Sequence, residues 1–230
     1  MSQPERVQEL EAPTTAAAFH AAYRVLTTLF LPPEEERLAT AVTAVPELRS
    51  IMWPLSNLAC GSLLDRLLTR LERFEDADVE RLGADHVALF LSGSRDHAVQ
   101  PYESWHVGVG GYEQPSVSAA LGSLYREAGL AVGLPGELPD HVGVELEFCA
   151  YLCHEEGDAR EEEARRRWQR ERQVFLVEHP LRWLGAFEIA LATAMADSLY
   201  VGFARTARAV VTDDRMLLDI LLSDRAVDDR

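Results

Sequence analysis

The sequence predicts an all-α protein, a compact helical bundle of about ten helices. Three observations carry that expectation. Apolar residues recur at three- and four-residue spacing along nearly the whole chain. Capping residues and Pro/Gly breakers divide the pattern into segments of helix length. No segment requires a strand. The 230 residues suit a single domain over 1–230, built as one body or as two lobes joined near 130–138. The ends, 1–13 and 223–230, are expected to fray.

Thr14 or Thr15 fits as the cap of a first helix in which Phe19, Tyr23, Leu26 and Phe30 share one face, until Pro32 and Pro33 stop it. The next helix, "EEERLATAVTAV", carries its acids in the first turn, where the helix dipole favours them. "PELRSIMWPL" reads as a short helical connector. "SNLACGSLLDRLLTRLERF" puts Leu63, Leu67 and Leu71 on one face and turns Arg66, Arg70 and Arg73 outward. "ADVERLGADHVALFL" continues in the same style. A long irregular stretch, 92–115, follows; loops of that length are usually functional or disordered, and Tyr102, Trp105 and Tyr112 make this one too aromatic for a linker. "SVSAALGSLYREAGL" runs from a Ser116 cap to a Gly129 C-cap. Later, Glu161, Glu162 and Glu163 stand four residues ahead of Arg165, Arg166 and Arg167, so the basic run "RRRWQRER" reads as an ion-paired, solvated helix face. Two further helical segments, "PLRWLGAFEIALATAMADSLYVGFARTARAV" and "DRMLLDILL", complete the chain.

A net charge of −16 argues against nucleic acid and favours a cationic partner. All 22 basic residues are arginine, which removes a P-loop, Schiff-base or kinase-type lysine. No apolar run reaches the ~18 residues of a membrane span. The first residues, "MSQPERVQELEAP", lack the basic and apolar regions of a secretory signal, so the expected compartment is the cytoplasm. Cys60, Cys149 and Cys153 read as buried core thiols rather than disulfide or metal ligands. Hydrolase motifs are absent, "VGVGGYE" lacks the third glycine of a dinucleotide loop, and the seven histidines form no ligand spacing. No cofactor and no metal site is expected. A helical metal-dependent enzyme using Cys149, Cys153 and His154, and a scaffold for another partner helix, stand as alternatives.

The segment "GELPDHVGVELEFCAYLCHEE", 136–156, starts a helix after Pro139, with Asp140 suited to cap it and His141, Glu145, Phe148 or Cys149, and Leu152 on one face. The expected arrangement buries the far end and leaves a polar, acidic near end. The same residues equally fit a plain cap with a locally satisfied histidine.

"PDHVGVELEF" at 139–148 resembles the signature of the TorD/DmsD/NarJ family of redox-enzyme maturation chaperones. "LFLSG" with "QPYESW", between Leu89 and Trp105, is similar to that family's Phe-bearing turn and Pro-x-Glu-Ser motif. "LYREAGL" at 124–130 also fits, as does "FLVEHPLRW" at 175–183, where Pro180 departs from the family pattern by standing between histidine and leucine. The resemblance implies an all-helical chaperone without a catalytic centre. Its partner would be the precursor of a molybdenum-containing oxidoreductase catalytic subunit, held through its twin-arginine signal peptide until the cofactor is inserted. By the same resemblance Leu89, Phe90, Tyr102, Glu103, Ser104, Trp105, Asp140, His141, Glu145 and Phe148 would lie at the peptide groove, with His179 and Trp183 in support. A monomer or a domain-swapped dimer is compatible with the long loop. Independently, two guanidinium groups followed by an apolar segment need carboxylates beside an aromatic-lined groove.

Overall fold

The computed structural model describes residues 12–92, 98–108, 114–132 and 137–223. Helix α1, Ala12–Phe30, buries Phe19, Tyr23, Leu26 and Phe30, the stripe that its periodicity predicts. It is already helical at Ala12, ahead of the predicted threonine cap. Its main partner is α8, Val142–Asp158, and the two run together more extensively than any other pair. Between them come α2 (Glu35–Thr43), with acids in its first turn, and α3 (Val45–Ile51), continued by a 3-10 turn at Trp53–Leu55.

Helix α4, Gly61–Leu71, begins later than its sequence suggests because the chain folds back across Gly61, where a Cβ would stand 2.5 Å from the Leu55 carbonyl oxygen. It buries Leu64, Leu67, Leu68 and Leu71, with Leu63 at the edge of that face. Helix α5 (Asp76–His86) runs on into a π turn at Val87–Leu91, closed by Ser92 N–H donating to the Val87 carbonyl at 2.6 Å. Such turns cost regular hydrogen bonding and re-aim side chains. Here the outcome is Leu89 inside and Val87 and Leu91 outside.

The predicted 92–115 loop contains one helical turn, α6 (Glu103–His106); residues 93–97 and 109–113 of it lie outside the described residues. Helix α7 (Pro115–Glu127) starts one residue before the expected Ser116 cap and ends as predicted at Gly129, whose φ of 76° lets Leu130 N–H reach the Tyr125 carbonyl at 2.8 Å. Helices α9 (Glu162–Glu178), α10 (Pro180–Ala194) and α11 (Leu199–Ser223) pack on one another and on α8 or α1. Buried apolar residues form one cluster from Ala18 to Leu218, drawn from helices on both sides of the 130–138 connection. Among the described residues there is no strand beyond a single antiparallel bridge between Tyr102 and His141, and no helix long and apolar enough to cross a membrane. Most of the predicted frayed ends, 1–11 and 224–230, lies outside the described residues.

The α9 surface is ion-paired, but only partly in the predicted register: Glu162 meets Arg166 four residues on, while Arg165 also turns to Glu162 and Arg167 to Glu171. Arg172 breaks the pattern. It is buried among α1, α8 and α11, with Glu156 at 2.8 Å, Asp214 at 3.3 Å and the Cys153 sulfur at 2.8 Å. Tyr23 donates to Asp214 at 2.9 Å and Gln169 to Glu156 at 2.7 Å. Burial pushes Asp214 up to about 6, with Arg172 acting in the opposite direction. A guanidinium placed this deep persists because its carboxylates are already aimed at it.

Candidate functional site

The corner after Pro139 is assembled by two segments that lie far apart in sequence. Glu103 N–H donates to the Asp140 carbonyl at 2.9 Å and Val142 N–H to the Pro101 carbonyl at 2.8 Å, on either side of the Tyr102–His141 bridge. Ser104 N–H donates to the Asp140 carboxylate at 3.0 Å. The cap of α8 is His141, whose Nδ1 accepts from Gly143 N–H at 3.1 Å. Burial depresses the His141 pKa, which favours the neutral ring this acceptor role requires. Helix α6 lies across this end of α8, so Asp140, Glu103 and Glu145 are 0–1% exposed.

This corrects the sequence expectation in two respects. Asp140 holds the α6 backbone instead of capping α8, and the near end of α8 is sealed rather than open and acidic. The carboxylates have internal tasks. Glu145 accepts from the Trp183 indole at 3.0 Å; burial first, and then Glu103, push its pKa well up. Glu103 meets His179 Nδ1 at 2.8 Å. Among the described residues, one carboxylate oxygen each of Glu103, Asp140 and Glu145, and the Ser104 hydroxyl, have no hydrogen-bond partner.

The other expected site residues scatter around this cluster. Leu89 is core. Phe90 is half-buried against His86, Phe187 and Tyr200. Half-buried Tyr102 donates to Glu137 at 3.0 Å, and Trp105, three residues on, is also half-buried. Trp183 is fully buried, faced by the His106 ring at 5.3 Å, and Pro180 opens α10 one residue after the His179 that Glu103 holds.

Of the expected residues, Phe148 and His179 reach an open hollow. Two hollows adjoin across Phe148 and Tyr151 on the outer side of α8. One, of about 480 Å³, is walled by Leu130, Val132 and Val144, with Glu147, His20 and His154 at its mouth. The other, of about 520 Å³, lies between α7 and α9 and is walled by Leu124, Trp168 and Val174, with Glu127, Glu171 and Glu178 around it. These volumes fall within the ~300–1,000 Å³ of ligand-binding clefts.

Residues 55–188 match the family model of the nitrate reductase delta subunit, more than half of the chain. The chain belongs to this family. In the TorD/NarJ family of redox-enzyme maturation chaperones, its relatives include the chaperone protein TorD of Aeromonas salmonicida, 32% identical over 187 residues that span 76% of this chain and 79% of the relative. The TorD of Vibrio cholerae (strain M66-2) is 30% identical over 182 residues, 74% of this chain and 80% of its own length. A solved structure, a candidate redox enzyme maturation protein from Archaeoglobus fulgidus, shares the fold with a TM-score of 0.52 at 22% identity, covering 82% of this chain and 91% of that one.

For this TorD/NarJ-family chain the motif residues thus build a joint, and the hollows lie next to it. Sequence reading missed Tyr151, Trp168, Glu127 and Glu178. One signal was present: "VFLV" at 174–177 places four consecutive apolar residues on a helix, and they cannot all face one core. Phe175 and Leu176 are buried while Val174 and Val177 are exposed.

Removing the Asp140 acceptor tests the joint. Asp140→Ala leaves Ser104 N–H buried without a partner and is expected to cost about 1–3 kcal/mol, whereas Asp140→Asn keeps an acceptor and costs less. Urea unfolding of both variants measures this; equal losses would show that the carboxylate charge is what the joint uses.

Proposed function

We propose that this chaperone holds the twin-arginine leader of a molybdenum-containing oxidoreductase catalytic subunit, in the cytoplasm, and delays its export until the cofactor has been inserted. The observation that carries the proposal is the pair of adjoining hollows flanking Phe148 and Tyr151, aromatic and aliphatic in their walls and bordered by carboxylates. A leader of this class presents two guanidinium groups and then an apolar segment. Apolar burial at ~25 cal/mol per Å² supplies most of the affinity, and charge-assisted contacts to exposed acids supply orientation. The net charge of −16 steers a cationic peptide toward the chain and makes encounter salt-sensitive.

The metal-enzyme alternative has less support. Cys149 and Cys153 are buried and burial raises their thiol pKa values, while His154, next to Cys153 in sequence, is exposed and pairs with Asp158. Among the described residues no three His, Cys, Asp or Glu side chains are placed to hold a metal ion.

Calorimetry with a synthetic twin-arginine leader and its Lys-Lys counterpart tests the proposal. The arginine peptide is expected to bind about tenfold tighter, because lysine offers neither the planar fork nor the same stacking. Failure of both peptides to bind would remove the leader from the proposal, and equal binding would favour a scaffold for another partner segment.

A further inference from the structure

We infer that the two hollows divide the leader between them: the hollow between α7 and α9 takes the paired guanidinium groups, and the hollow bordered by α1, α8 and residues 130–132 takes the apolar segment that follows. This rests on the leader-binding reading above and gives it a direction along the surface of α8.

The division follows from which charges are already paired. At the α1 side, Glu147 is matched by Arg24 at 3.1 Å, and His20 Nδ1 meets the Ala150 carbonyl at 2.9 Å. What remains there for a ligand is the apolar wall of Leu130, Val132 and Val144, beneath a mouth whose carboxylate has its counter-charge. At the α9 side, Glu127 and Glu178 are exposed and, among the described residues, neither has an ion-pair partner. Exposed carboxylates without partners, set on either side of an aliphatic wall, suit two cations on a short flexible peptide.

Two further features point the same way. The Trp168 indole stacks a guanidinium, that of Arg167, 4.8 Å from its ring centre, so this wall suits arginine stacking. Arg167 takes one face and also satisfies Glu171 at 3.2 Å, which leaves Glu127 and Glu178 as the acids open to a ligand. His179, which borders the same hollow, is fixed from behind by the fully buried Glu103 at 2.8 Å. The motif residues of α6 would thereby act as positioning residues for the arginine end, through His179, without touching the peptide. Arg170 also borders this hollow and has no carboxylate partner among the described residues. It opposes a cationic ligand, so its removal should act in the reverse sense.

The test uses the full chain, calorimetry, and two peptides: a twin-arginine leader and the same leader with both arginines replaced by glutamine. Glu127→Gln with Glu178→Gln is expected to weaken the arginine peptide about tenfold and to leave the glutamine peptide unchanged. Val132→Asp should weaken both peptides by the same factor, and Arg170→Gln should tighten only the arginine peptide, by about two- to threefold. All four positions are exposed or half-exposed, and a thermal melt of each variant checks that folding is intact. A double glutamine variant that weakens both peptides alike, or neither, overturns the division while wild-type preference for arginine keeps the leader reading in place. A wild-type chain that binds neither peptide overturns both.

Discussion

An Arg172→Met chain is expected to lose about 3–5 kcal/mol of unfolding free energy, a large share of the ~5–15 kcal/mol that holds an ordinary domain together. The side chain length and packing are nearly kept; what goes is the positive charge between Glu156 and Asp214. Both acids are essentially inaccessible and would stand beside each other with no cation. The deficit should depend on pH, in a direction that follows from Asp214. Its folded pKa of about 6 lies above its ordinary 3.8, so the proton is held more tightly in the folded chain. Its favourable contribution is complete below about 3.8 and is lost as pH rises through about 6. Deleting Arg172 removes the influence that opposes this rise. The variant's deficit should therefore shrink between about pH 7.5 and about pH 5, as Asp214 takes up its proton. Urea unfolding of both chains at the two pH values measures it, and a deficit below about 1 kcal/mol, or one insensitive to pH, would show that the network is not held by charge.

Trp183→Ala should be nearly as costly, about 3–5 kcal/mol for the cavity alone. The indole is fully buried, packs on Phe187 and His106, and donates to Glu145 at 3.0 Å. Trp183→Phe separates the two contributions, since it fills most of the space and removes the donor, at an expected cost of about 1–3 kcal/mol. Adding Glu145→Leu to Trp183→Phe should recover part of that loss, because a buried carboxyl without its donor is worse than none. A chain of this size shifts its melting temperature by roughly 2–4 °C per kcal/mol, so the steps are separable by calorimetry. If Trp183→Phe cost nothing, the indole hydrogen bond would be dispensable to the joint.

The helices were legible because each carries its own evidence. The Phe19–Phe30 stripe, the acids opening α2 and the Gly129 stop are local patterns, and local chemistry decides them. Asp140, Glu103 and Glu145 were legible as a group only through motif resemblance, and the placement inferred for them was too near the surface. Nothing within ten residues of Asp140 announces that Ser104 N–H will reach it, or that α6 will cover the corner. Arg172 was illegible for a related reason. It sits in a basic run whose neighbours are solvated, and one of its partners, Asp214, lies 42 positions further along the chain. Periodicity assigns a charge to the outside unless something distant claims it.

The pairing of α1 with α8 bears on how the molecule is made. The first helix finds its chief partner more than a hundred residues downstream, so during synthesis its greasy stripe leaves the ribosome long before the surface that will cover it. A nascent chain that ends before residue 142 has neither Phe148 nor Tyr151 and so lacks the wall both hollows share. The newborn chain thus passes through a stage in which its own apolar stripe stands uncovered, and both hollows acquire their full lining only once residues as far as His179 have been made.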